Sequence, residues 1–380
     1  MAERAHPHPS CGGRGALRDL AGPAVSAPGS VDARALADWA AGRGLLARGA
    51  RLRVEALAGG SSNPTYRVRG GGVDLVLRTP PRRGGLPTAH DMDREYRFQA
   101  ALAGGAVPVA PMVALCPDPA VIGVPFYLMG RLDGVVYGRA ESVRGLPAHT
   151  AAAVGGELAR TLARLHAVDP VAAGLGDYAR PEPYPVRQLR RWRRQWAASA
   201  AGSVPAVDEV LAALAARVPD VGPDRIVHGD YNLANVMYAR DRPERVLAVL
   251  DWELAALGPA AADVGQLLAY WGPAGRLLAA GRGGHAPDVN PGLPTADELL
   301  AAYLAERAAA ERAAAPTDPV ARDELNIRHI PFWQAFAVIK LAIVCAGALR
   351  RTADPSGERR RRIESLVTGL TALARDTLEE

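Results

Sequence analysis

His228-Gly-Asp-Tyr-Asn-Leu-Ala-Asn-Val236 follows the apolar pair Ile226-Val227, and a second apolar run, Val246-Leu-Ala-Val-Leu250, leads straight into Asp251-Trp-Glu253. Two short strands joined in this way make a hairpin-like return, which brings the two polar ends together. Moving a phosphoryl group requires a carboxylate that orients the attacking hydroxyl and accepts its proton. It also requires oxygen ligands that hold magnesium against nucleotide phosphates. Asp230 fits the first task. Asn235, five positions on, offers a neutral oxygen to the metal, and Asp251 is the main metal ligand. Each fragment alone also reads as plain structure, a surface turn for His-Gly-Asp and a cap for Asp-Trp. Their order and spacing together point to a catalytic loop. His228, placed before a glycine, reads as a structural residue that hydrogen-bonds backbone around the loop.

Upstream of the loop the pattern is that of a small sheet. A short helix over Val31–Ala47, with Asp32 as cap, precedes alternating strands between Leu52 and Leu77, with a turn at Ala58–Asn63 and a hairpin closed by Gly70, Gly71 and Gly72. A helix follows over Asp91–Ala103, then strands over Val107–Cys116 and Val121–Met129. Beyond Arg131-Leu-Asp-Gly134 helices dominate: Thr150–His166, Val186–Ala200, Val207–Arg217, Ala261–Ala269, Ala296–Ala314 and onward from Pro331. These elements predict an α+β, two-lobed chain: a leader over residues 1–30 read as disordered, a small sheet lobe over 31–130, and a larger, mostly helical lobe over 131–380 that carries the catalytic loop.

Composition narrows the partners. The formal charge of +5 is set by 45 basic against 40 acidic residues, interspersed, and aromatics make up only 5%. A nucleic-acid binder would carry a basic stripe with interleaved aromatics, and none is legible. Lys340 is the sole lysine; every other basic residue of that count is arginine. Cys11, Cys116 and Cys345 are odd in number and widely spaced, which fits neither a disulfide framework nor a zinc site and favours a cytoplasmic setting. The most apolar segment, Ala335–Leu349, is too short to span a membrane and contains Lys340, so it reads as a buried helix. Oligomeric state is not legible.

The loop at His228–Val236 resembles that of the aminoglycoside phosphotransferase family, whose members share the protein-kinase-like fold. More narrowly it resembles the phosphotransferase domain fused to some acyl-CoA dehydrogenases, and its free-standing bacterial relatives. Gly59-Gly-Ser-Ser-Asn-Pro-Thr-Tyr66 resembles that subfamily's nucleotide loop, Asp93-Arg-Glu-Tyr-Arg97 its helix, and Val121-Ile-Gly-Val-Pro-Phe-Tyr-Leu-Met129 its pre-hinge strand. Leu165-His-Ala-Val-Asp169, Arg187-Gln-Leu-Arg-Arg-Trp192 and Ala335-Phe-Ala-Val338 resemble its helical lobe. The resemblance implies ATP and Mg2+, with nucleotide binding in the 31–130 lobe and acceptor binding in the 131–380 lobe. It implies that Gly59, Gly60, Ser61, Ser62 and Asn63 approach the phosphates, glycines allowing backbone amides close to anionic oxygens. Arg78, paired with Glu95, would take the place that lysine holds in protein kinases. Met129–Leu132, with Met129 and Arg131 among the nucleotide-binding residues, would be the hinge whose backbone groups meet the adenine, and Asp263 would tie the catalytic loop in place. In two places the chain departs from the pattern. Leu257-Gly-Pro-Ala260 lacks the acid of the usual Gly-Asp-Pro, and Gly130 stands where an acidic hinge residue is common.

These readings imply a phosphotransferase acting on a small-molecule hydroxyl, with a hydroxyacyl-CoA-like metabolite as the acceptor that the likeness favours. An aminoglycoside or other antibiotic is the alternative acceptor, and a catalytically silent nucleotide-binding module the alternative class. The arginine run at 187–194 reads as a solvated face. Its sharper reading gives Arg187 and Arg191, with Trp333, to acceptor binding.

Overall fold

The computed structural model describes residues 31–57, 63–81, 91–199, 204, 206–280, 285–313, 329–348 and 357–380. The leader, Cys11 and the expected phosphate-binding residues Gly59, Gly60, Ser61 and Ser62 lie outside them.

Asp32 accepts from the N–H groups of Arg34 and Ala35 and so starts α1 (Ala33–Gly42). An antiparallel sheet follows from β1 (Arg53–Ala56), β2 (Thr65–Gly70) and β3 (Val73–Arg78), with β4 (Met112–Cys116) and β5 (Phe126–Gly130) completing it in the order β1-β2-β3-β5-β4. The β2–β3 hairpin turns through Gly70, Gly71 and Gly72 at φ 130°, 59° and 84°, angles that only glycine adopts readily. Helix α2 (Met92–Leu102), capped by Asp91, packs on β4 and β5. The strands expected from Val107 and Val121 begin later, at Met112 and Phe126. The cause is proline: Pro108, Pro111 and Pro125 have no N–H to give a ladder.

The larger lobe starts with β6 (Val135–Val136), a short α3 (Ala140–Arg144) and α4 (Ala148–Ala167), then α5 (Tyr184–Ala197) and α6 (Ala206–Ala216). Four short strands build the loop region: β7 (Arg225–Val227), β8 (Val236–Tyr238), β9 (Val246–Val249) and β10 (Ala256–Gly258). Helices α7 (Ala260–Trp271), α8 (Pro273–Ala279), α9 (Ala286–Val289), α10 (Ala296–Ala313), α11 (Ile330–Ala348) and α12 (Glu358–Glu379) complete it. On α5, Leu189, Trp192 and Trp196 are buried and Arg190, Arg191, Arg193 and Arg194 are exposed, so the arginine run is a solvated face. Helix α11 lies against α5, α6, α7 and α12. Its stretch Ile330–Gly347 is the one described segment long and apolar enough to cross a membrane, and 78% of it is buried inside the protein. Burial by neighbouring helices explains that apolarity.

Candidate active site

Strand β7 pairs with β10, and β8 with β9, so the chain leaves β7 through the His228–Asn235 loop and returns through β9 to Asp251. Val236 faces Val249 across the β8–β9 ladder, and the Leu250 N–H donates to the Asn235 carbonyl at 2.8 Å. Asn235 and Asp251 are thereby brought side by side. Asp251 has φ 65°, the one non-glycine positive φ among the described residues. Aspartate tolerates that region better than most residues, and strained backbone of this kind gathers at functional sites.

Asp230 is held from several directions. Its Oδ1 accepts from Gln266 Nε2 at 2.6 Å and from the Tyr270 hydroxyl at 3.2 Å. Its Oδ2 accepts from Asn235 Nδ2 at 3.1 Å. Asn235 Nδ2 also donates to the Asp230 carbonyl at 2.8 Å, so the amide nitrogen faces Asp230 and the amide oxygen is turned away from it. Burial pushes the Asp230 carboxyl above its ordinary value; the Lys340 ammonium opposes this and Asp251 reinforces it.

The loop backbone is fastened by Asp263 on α7, whose two oxygens accept from the N–H groups of His228 at 2.6 Å and Gly229 at 2.8 Å. Gly229 sits at φ 78°, and a Cβ there would lie 2.6 Å from the Leu254 carbonyl oxygen. His228, fully buried, has Nε2 2.8 Å from the Leu250 carbonyl, while the Asp230 N–H donates to its Nδ1 at 3.2 Å. Those partners fix the Nε2–H tautomer and the residue's bracing position. His166 Nε2 stands 3.4 Å from Asp263, and its Nδ1 2.8 Å from the Tyr303 hydroxyl. Burial alone would raise the Asp263 carboxyl; His166, His228 and the backbone donors outweigh it and hold the group below its ordinary value.

On the other side, Arg78 is 5% exposed. Its Nε lies 2.7 Å from Glu95 Oε1, and its Nη2 pairs with Asp251 and lies 3.8 Å from Glu253. Glu95 also accepts from Tyr127 at 2.9 Å and from Asn63 at 3.3 Å. Asn63 reaches Glu253 at 3.1 Å, and Arg94 of α2 donates to the Glu253 carbonyl at 2.7 Å. The small lobe therefore grips the turn that carries Asp251.

Among the described residues no group of three or more His, Cys, Asp and Glu side chains is arranged to hold a metal. Magnesium binds through one or two protein oxygens plus substrate phosphates and water. The Asp251 carboxylate and the Asn235 amide oxygen, on residues that the β8–β9 return brings together, are donors of that type, and the Arg78 guanidinium, which pairs with Asp251, is of a type that suits phosphate oxygens.

The remaining sequence-derived residues divide. Met129 lies on β5 opposite Val76, and Arg131, just beyond, is 3.9 Å from both Asp74 and Asp133. A Cβ at Gly130 would lie 3.2 Å from the Pro111 ring, a physical reason for glycine there. Arg187 donates to the carbonyls of Glu182 and, at 3.2 Å, Leu257, so it anchors β10 rather than standing free for an acceptor. That contact secures the stretch lacking the usual acid. Trp333 corrects the acceptor reading: it is 2% exposed and packed against Gly265, Phe332 and Phe336 in the core. Arg191 is exposed. Gln266, Tyr270 and Lys340 were not foreseen in the site. Asp263, Gln266 and Tyr270 recur at i, i+3 and i+7, a polar stripe along an otherwise apolar helix that carries the signal.

Residues 53–325 match the family model of the phosphotransferase enzyme family. Acyl-CoA dehydrogenase family member 10 of Mus musculus is 35% identical over 295 residues, covering 77% of this chain and 26% of that protein. Family member 11 of the same organism is 35% identical over 302 residues, covering 79% and 36%. The chain thus spans about a quarter to just over a third of the length of these curated relatives. A crystal structure from Ralstonia eutropha, assigned as an aminoglycoside phosphotransferase, is 31% identical with TM-score 0.69, covering 91% of this chain and 99% of that one. A Plasmodium vivax ethanolamine kinase, 11% identical with TM-score 0.56 over 87% of this chain and 84% of its own, shares the fold.

Proposed function

This chain belongs to the phosphotransferase enzyme family, and we propose on that premise that it uses ATP and magnesium to phosphorylate a hydroxyl of a small molecule. The observation that carries the reading is the convergence of Asp230, Asn235 and Asp251, joined through the Asn235–Asp230 hydrogen bonds and the β8–β9 return. Asp230 Oδ2, which takes one protein donor, orients the acceptor hydroxyl and takes its proton as the hydroxyl oxygen bonds to the γ-phosphorus and the bond from that phosphorus to the ADP oxygen breaks. Asp251 and the Asn235 amide oxygen would hold magnesium, which would supply positive charge against the phosphates. Arg78 faces the same phosphates from the small lobe, and Asn63 closes the expected glycine loop. Positioning and charge stabilisation supply most of the rate.

The acceptor proposed is the hydroxyl of an acyl-CoA-like or similarly anionic metabolite. The names of the curated relatives support it, as does the exposed arginine face of α5, which suits anions better than a cationic antibiotic. The buried thiols of Cys116 and Cys345 accord with a reducing compartment. The test is purified protein with Mg-ATP against a panel of hydroxyacyl-CoAs, free hydroxy acids and aminoglycosides, read as ADP formed and phosphorylated product by mass. Product from a hydroxyacyl-CoA is expected. Turnover only with aminoglycosides removes the acceptor, and product from none of the panel with no ADP formed removes the catalytic reading.

A further inference from the structure

Lys340 is the sole lysine of a chain with 45 Lys and Arg residues together, and it is found in the middle of the apolar helix α11, 9% exposed. Burying an ammonium is costly unless its protons are hydrogen-bonded. Here Nζ donates to the Gly229 carbonyl, in the loop directly before Asp230, and to Gln266 Oε1 at 2.6 Å. With its oxygen committed to Lys340, the Gln266 amide must present its nitrogen to the other side, where Nε2 donates to Asp230 Oδ1 at 2.6 Å. The orientation of that amide is therefore set by the lysine.

We infer that Lys340 is the positioning residue of the phosphoryl-transfer loop, acting through Gly229 and Gln266 to fix the Asp230 carboxylate with Oδ2 directed at the acceptor. This rests on the phosphotransferase reading. Composition supports it independently: the sequence favours arginine at every other basic position, yet keeps a compact tetrahedral ammonium where two carbonyl oxygens must be met at one point. A guanidinium is a broad planar fork and cannot take the same place unaltered. Lys340 touches no reacting atom in this role, so its loss should lower kcat and spare substrate affinity.

Two measurements test it. In the first, Lys340→Met and Gln266→Leu each lower kcat about 10- to 100-fold while KM for ATP and for the acceptor stay within about two-fold. The double variant is no worse than the weaker single one, because both act on one contact. Full turnover in Lys340→Arg, or a rise in acceptor KM with kcat intact, overturns the inference. The second needs no turnover. With [15Nζ]lysine the whole chain yields one ammonium resonance, which is expected to shift in both Gln266→Leu and Asp230→Asn. A resonance unmoved by Gln266→Leu overturns the contact even if Lys340→Met fails to fold. Wild-type protein that transfers no phosphate removes the reading of the preceding section, and the lysine resonance still decides the arrangement.

Discussion

Arg78, the last residue of β3, is ion-paired with Asp251, 173 positions further along the chain and in the opposite lobe. The same guanidinium lies against Glu95, so one buried cation serves a carboxylate on α2 and another on the metal-site turn. A kinase-like enzyme with lysine at this position would bring one compact charge; arginine brings a fork that reaches two partners.

Removing that fork strands Glu95, which burial already pushes above its ordinary value against the pull of Arg78. Arg78→Met should destabilise the protein by about 3–5 kcal/mol, the usual result of breaking a buried pair from one side. Adding Glu95→Gln should recover part of the loss. Urea unfolding of both variants measures it, and a single change costing under about 1 kcal/mol would mean that the pair acts as an exposed one.

Asp230→Asn should lower turnover by about 10²–10⁴ while leaving ADP affinity unchanged. The amide keeps the shape but cannot accept the hydroxyl proton. Steady-state kinetics with calorimetric ADP binding tests this, and undiminished turnover would remove Asp230 from the role.

Asp263 meets two backbone N–H groups with two oxygens. Asn at 263 retains one acceptor and turns an NH2 toward the other N–H. The expected cost is about 1–3 kcal/mol of stability, with turnover falling further than stability alone explains because the backbone of His228 and Gly229, directly before Asp230, loses one of its two anchoring bonds. Thermal unfolding and kcat measured on the same preparation separate the two effects.

Burial pushes the His166 imidazole below its ordinary value, against the hydrogen bond and charge of Asp263. The unfolded chain then binds more protons than the folded one between the folded and unfolded values, so stability rises with pH across that window. The contribution is complete above the unfolded value of ~6.5 and is lost as pH falls from there toward the folded value. The urea midpoint should drop from about pH 7.5 to about pH 5.5, and His166→Gln should flatten part of that slope. A slope unchanged in the variant would assign the acid sensitivity to other groups.

The grouping of Asp230, Asn235 and Asp251 was legible because all three fall within one short strand–loop–strand stretch, but the pairing was not: β7 joins β10 and β9 joins β8, and the three-residue strands β8 and β10 are too short to carry a pattern. The Arg78–Glu95 pair was legible only through the family resemblance, which put arginine in the place that lysine holds in protein kinases, and the structure forms the pair. Gln266 and Tyr270 share the polar stripe of α7 with Asp263, a signal left unread. Lys340 was not legible, since it is a single charged residue in an apolar helix and only tertiary packing decides which face meets the loop. Trp333 misled for the same reason. A tryptophan at a helix start suits a pocket rim as well as a core, and the close approach of Gly265 settles it in favour of the core.

The dependence of the loop on Lys340 also has a temporal side. Residues 226–251 emerge from the ribosome well before α11, and α11 is itself covered by α12. A nascent chain that has released the loop but not yet α11 has no ammonium to steady Gly229, and its apolar helix is uncovered until α12 arrives. The loop therefore reaches its final arrangement only once α11 has been made and packed against α7.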